Sequence, residues 1–168
     1  NDGQPTTPIQ LKINDVSFFN QMSDCMIANN SVDGTKIYAT GISNGGFMSS
    51  RLGCELSTRI AAIAVTAATM ESNTIAPACN PGRPVPAIYI HGTTDPFVPF
   101  TGGQMTAGGT AGGNILSHFQ VIDKGVTIYG CNSTPNVTDL PDIANDGTTI
   151  KQRIYSGGTN GSELVSYE

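Results

Sequence analysis

Apolar residues first recur at helical spacing at Val16, Phe19, Met22, Cys25 and Met26, three and four positions apart. That pattern predicts an amphipathic helix capped by Asn14 or Asp15 and running to Ala28. Residues 1–10 before it are polar, carry Pro5 and Pro8, and read as an extended lead-in. Turn formers from Asn29 to Gly34 end the helix, and Lys36 to Gly41 (KIYATG) is a short β-prone segment running into Gly41-Ile42-Ser43-Asn44-Gly45. Beyond those glycines Met48, Leu52 and Leu56 share one face of a second predicted helix, Phe47 to Leu56. Ile60 to Ala67 (IAAIAVTA) is apolar almost throughout, the pattern of a strand covered on both faces in a parallel sheet.

Residues 71–86 are punctuated by proline and lack any period, so a loop is predicted there and a third strand at Val85 to His91 (VPAIYIH). A Gly-rich stretch follows, with TAGG repeated at 106–109 and 110–113, and reads as a slack surface loop. Ile115 to Lys124 is helix-like. After Cys131 comes a polar loop, and then two β-prone runs, Thr148 to Tyr155 and Glu163 to Tyr167, read as neighbouring strands at a sheet edge. Helices alternating with strands predict an α/β class with a mainly parallel sheet and helices on both its faces. No internal stretch resembles a linker, so residues 1–168 form one domain.

Composition narrows the partners. Thirteen acidic against eight basic side chains give a net charge of −5 with no basic tract, which argues against nucleic acid. The longest apolar run, Ile60 to Ala68, is about half a bilayer span, so no membrane partner is expected either. Charged residues make up only 12%, and Gly and Pro are frequent, a balance that points to a secreted protein. Cys25, Cys54, Cys79 and Cys131 lie far apart without a C-x-x-C pair, poor spacing for zinc or a redox motif. An even count fits two disulfides in an oxidising compartment, with the pairing open and free buried thiols as the alternative. Sequons at Asn29, Asn132, Asn136 and Asn160 carry glycans only on a eukaryotic secretory route.

Candidate chemistry sits at two strand ends. Gly41-Ile42-Ser43-Asn44-Gly45 matches G-x-S-x-G between a predicted strand and a predicted helix, the setting in which a serine is exposed on a strained turn above a sheet. The flanking glycines are read as required by close approach of strand and helix. Ser43 would then stand at a helix N-terminus, where the Asn44 N–H can donate to a developing oxyanion. The alternative is a Gly-rich connection that binds phosphate or nothing. After the third strand, Asp95 in His91-Gly92-Thr93-Thr94-Asp95-Pro96 lies where a serine hydrolase carries the acid that orients its histidine, or else merely starts a turn. His91, tied to the strand, is read as a buried structural residue, and His118 as a surface or half-buried helix residue.

Three blocks carry a family resemblance: KIYATGISNGGFMSSRLGCEL, IAAIAVTAATM and PAIYIHGTTDPFVPF, with NDVSFF upstream. They resemble the secreted polyhydroxybutyrate depolymerase and feruloyl or acetylxylan esterase group of α/β-hydrolases. The resemblance implies a serine carboxylic-ester hydrolase without cofactor or metal, with Ser43 as nucleophile, Asp95 as triad acid, the Asn44 amide as half of the oxyanion hole, and Cys54 paired with Cys79. Its substrate would be a polyester or a plant cell-wall acyl ester. The family's earlier H-G turn and its late histidine segment have no counterpart in these residues, so the chain reads as part of a longer hydrolase whose triad histidine is absent here. Self-association through the uncovered sheet edge follows from that reading. Two alternatives remain: a non-catalytic polymer- or carbohydrate-binding remnant of a hydrolase, and an acyltransferase of the same fold.

Overall fold

The computed structural model describes residues 14–107 and 110–168; the predicted lead-in and part of the TAGG repeat lie outside them. Helix α1, Asp15–Asn29, starts at Asn14, whose side chain accepts from the Ser17 N–H at 3.0 Å. Of its predicted apolar stripe only Val16 is buried, while Met22, Cys25 and Met26 are exposed, so the helix is less covered than its periodicity implies. Strand β1, Ile37–Ile42, leads through Ser43 into α2, Asn44–Glu55, and β2, Ile60–Thr66, follows. The predicted loop over 71–86 contains one helical turn, α3, Ile75–Ala78, organised by Glu71, whose carboxylate accepts from the backbone of Asn73, Thr74 and Ile75. Strand β3 is Ala87–Ile90.

The Gly-rich stretch is not slack. It forms an antiparallel hairpin, β4 Gly103–Ala107 and β5 Thr110–Ile115, tied to the rest of the chain by Ser72 N–H donating to Asn114 O. Helix α4, His118–Tyr129, begins three residues later than predicted because Ser117 and Gln120 form a reciprocal capping box, and ends at Gly130 in a left-handed conformation. The polar stretch after Cys131 holds a further strand, β6 Asn136–Leu140, ahead of β7, Ile150–Tyr155, and β8, Leu164–Tyr167.

Six strands form one sheet in the order β1-β2-β3-β8-β7-β6. The first four are parallel; β7 and β6 add antiparallel pairs at one side. The class is α/β with a mostly parallel mixed sheet, compatible with an α/β-hydrolase-like fold. The last two predicted strands do pair, but β8 is interior and β6 takes the edge, which explains why Leu164 and Ser166 are wholly buried. Val65, Val85, Ile122 and Leu164 form the driest part of the core, and α4 approaches β8 so closely that a Cβ on Gly125 would lie 2.4 Å from Leu164 Cδ1. Burial of such side chains contributes about 1.5–3 kcal/mol each.

The cysteines depart from the expectation of two disulfides. Cys54 pairs with Cys79, joining the end of α2 to the segment ahead of β3, as the resemblance implied. Cys25 is exposed and Cys131 half-buried, both free.

Candidate active site

Ser43, Ala67 and His91 follow the carboxyl ends of three adjacent parallel strands, the edge at which open α/β sheets build their binding crevices. Ser43 sits at φ 53° and ψ −119°, a conformation that costs a non-glycine residue about 1–3 kcal/mol. The surroundings hold it there: its N–H donates to Thr66 O at 3.0 Å and its own carbonyl accepts from Phe47 N–H at 3.0 Å. Ala67, one strand over, is also left-handed at φ 47°, with its N–H donating to Ile90 O at 2.8 Å. Two strained residues at neighbouring strand ends mark this spot as one where geometry overrides local preference.

Close approach explains the glycines, though not the pair that the motif names. A Cβ on Gly41 would fall 2.4 Å from the Gly45 carbonyl carbon, so strand and helix touch there through backbone. Gly45 itself faces open space, with nothing within 4 Å of an added Cβ. The second sterically required glycine is Gly46, whose Cβ would lie 2.7 Å from the Ala68 methyl and 3.0 Å from Thr66 O.

Ser43 and Asp95 line one open cavity of about 440 Å³, with Ile42, Ala67, Thr94, Pro96 and Phe97 as neighbours. The Ser43 side chain is exposed and makes no hydrogen bond to any described residue. The Asp95 carboxylate divides its oxygens. Oδ1 accepts from the N–H groups of Phe97 at 2.8 Å and Val98 at 2.9 Å, which closes a tight turn. Oδ2 makes no hydrogen bond among the described residues and lies 3.6 Å from His91 Nε2. The side chain is 14% exposed, so one carboxylate edge is fixed by the backbone and the other remains reachable.

Asn44 is the first residue of α2, where N–H groups have no intrahelical partner, but it lines a different hollow. That hollow, about 630 Å³ between α1, β1 and α2, is walled by Phe19, Met22, Tyr38 and Met48 and contains neither Ser43 nor Asp95.

Neither histidine lines the cavity of Ser43. His91 is buried, as expected, and its Nε2–H donates to Val98 O at 2.9 Å. His118 is a correction to the sequence reading: it is wholly buried rather than superficial, with Nε2 2.7 Å from Ser166 Oγ and its ring stacked on Phe100 at 4.7 Å. Burial first, then the charges of His91 and Arg153, lower its pKa from 6.5 to about 4, so the ring is neutral at ordinary pH. The signal for its burial was present in the sequence, since His118, Val121, Ile122, Gly125, Val126 and Tyr129 form the buried helical stripe of α4. Ala67 had no such signal, because alanine carries no preference for a left-handed turn. Among the described residues no group of three or more His, Cys, Asp or Glu side chains is arranged to hold a metal ion, and no helix is long and apolar enough to cross a membrane.

No protein-family model matches the chain. Over 97 residues, 57% of its length, it is 36% identical to "Feruloyl esterase B" of Piromyces equi, covering 18% of that protein. It is 33% identical over 101 residues to "Probable feruloyl esterase C" of Aspergillus niger, covering 36% of it. It is 36% identical over 89 residues to "Putative esterase NocK" of Nocardia uniformis, covering 25%. The matched part thus spans about a fifth to about a third of these relatives, and what the chain shares with them, over somewhat more than half of its own length, is similarity to proteins named esterases.

Proposed function

We propose that the chain is part of a secreted serine carboxylic-ester hydrolase, acting on a polyester or a plant cell-wall acyl ester. The observation that carries this reading is Ser43 on its strained strand-to-helix turn, sharing one open cavity with Asp95. Ser43 Oγ attacks the ester carbonyl, the alcohol leaves, and water releases the acyl group from the serine. The backbone N–H of Asn44, next in the chain to Ser43 and without an intrahelical partner at the start of α2, is the donor proposed for the developing negative charge on the carbonyl oxygen, although the residue also lines the neighbouring hollow. Asp95 Oδ2, without a hydrogen bond among the described residues, holds the imidazole that takes the serine proton. That imidazole belongs to a histidine outside these 168 residues, because His91 and His118 are both buried and engaged elsewhere. The apolar walls Ile42, Pro96 and Phe97 favour an apolar acyl group, in keeping with the feruloyl esterase names among the relatives. The Cys54–Cys79 bond favours an oxidising compartment and hence secretion.

A free imidazole can stand in for the histidine. Hydrolysis of methyl ferulate, whose poor leaving group suppresses the solution background, is expected to rise with added imidazole in the unmutated chain and to stay at background in Ser43→Ala. Equal rates in the two proteins would reject the serine mechanism. They would favour the second reading, a non-catalytic polymer- or carbohydrate-binding remnant, which draws on the absence of any histidine from the Ser43 cavity among the described residues.

A further inference from the structure

The ring of His91 is held from all sides. Its backbone N–H donates to Tyr167 O at 3.0 Å, fixing it to the end of β8. Phe100 meets the ring edge-on at 5.5 Å between centroids and His118 does so at 5.7 Å, while His118 is itself stacked on Phe100 and anchored to Ser166. This buried aromatic stack leaves one productive group, Nε2. A carbonyl oxygen only accepts, so the 2.9 Å contact with Val98 O requires the proton on Nε2, while Nδ1 has no hydrogen-bond partner among the described residues. Val98 is also one of the two residues whose N–H groups hold Asp95 Oδ1. The same Nε2–H edge lies 3.6 Å from Asp95 Oδ2, too long for a hydrogen bond.

We infer that His91 is a positioning residue for Asp95: its Nε2–H clamps the carbonyl of Val98, and so fixes the turn whose amides aim the carboxylate into the Ser43 cavity. This rests on the ester-hydrolase reading for its consequence, but the clamp itself does not depend on turnover. A histidine that served only to fill space would be replaced adequately by any residue of similar volume. A clamp requires a donor at the Nε2 position. Glutamine carries its amide nitrogen near that position, asparagine near Nδ1, and leucine has no donor at all.

The experiment compares the unmutated chain with His91→Gln, His91→Asn and His91→Leu. NMR-detected amide exchange is followed at Phe97 and Val98, with Val65 in the core as reference, together with imidazole-dependent hydrolysis of methyl ferulate. His91→Leu and His91→Asn are expected to speed exchange at Phe97 and Val98 about tenfold, roughly what one lost hydrogen bond with an unpaired carbonyl is worth, while Val65 is unchanged. They should also lower kcat with KM unchanged. His91→Gln should stay within about threefold of the unmutated chain in both readouts. Should the leucine variant fail to fold, the Asn and Gln pair decides, since both are polar and differ only in reach. Exchange that is unaltered in Asn and Leu, or a Gln variant as fast as Asn with Val65 still protected, would overturn the inference. Absence of imidazole-dependent turnover in the unmutated chain would instead count against the hydrolase reading and leave the exchange result to decide the clamp.

Discussion

Acid should destabilise this protein through His118 in a window set by its burial. The ring ionises at 6.5 when free in an unfolded chain and at about 4 in the fold, where burial dominates and the His91 and Arg153 charges add to it. The unfolded state therefore binds a proton as pH falls below 6.5, and the folded state does not until pH nears 4. The neutral ring's contribution is complete above pH 6.5, falls as pH drops through the window, and is lost once pH has passed through 4. At about 1.4 kcal/mol per pH unit, the difference between 6.5 and about 4 amounts to about 3 kcal/mol. The perturbation that isolates it is His118→Gln, which keeps a polar atom within reach of Ser166 Oγ and cannot titrate. The chain has no Trp, so urea unfolding is followed by circular dichroism at several pH values between 7 and 4. The unmutated chain should lose about 3 kcal/mol more than the variant over this range, since carboxylate terms are common to both and cancel. A stability difference that does not change with pH would refute the argument.

Three further outcomes follow from the geometry. Gly45→Ala is expected to leave the chain as stable or more stable, by up to about 1 kcal/mol, because its Cβ enters open space within a helix, whereas Gly46→Ala should cost roughly 1–3 kcal/mol against the Ala68 methyl; chemical denaturation of both tests the pair. Reducing Cys54–Cys79, which closes a loop over a sequence separation of 25, should lower stability by about 3 kcal/mol in urea titrations with and without reductant. Strand β1 forms one edge of the sheet and exposes Tyr38 at 66% and Ile42 at 67%, so light scattering should detect concentration-dependent association that Tyr38→Lys reduces; an unchanged mass distribution in the variant would remove β1 as the contact.

What the sequence made legible was local. Ile60 to Thr66 announces a strand buried on both faces, and the run from β1 through Ser43 into α2 is a signal of glycines and β-prone residues that needs no tertiary information. The edge strand β6 escaped because Asn136, Val137, Thr138 and Asp139 are all exposed, and a strand without a buried face has no alternation to read. The β4–β5 hairpin escaped for a related reason, since its Gly and Thr residues look like loop until pairing orders them. The start of α4 is legible in the sequence, since Ser117 and Gln120 spell a capping box. At the candidate site, Ser43 and Asp95 were identified from their places after strands, and the structure brings both into one cavity. Which glycine is sterically indispensable, the strain at Ala67 and the hold of His91 on Val98 depend on contacts between distant segments, which no local pattern encodes.

Covalent labelling tests most directly whether Ser43 is a nucleophile poised by its turn. The chain is treated with a fluorophosphonate in the presence of imidazole, and the adduct is located by peptide mass spectrometry. A single adduct on the peptide bearing Ser43, absent from Ser43→Ala, is the result this account predicts. An unlabelled Ser43, or labelling of the unmutated chain and Ser43→Ala to the same extent, would contradict it.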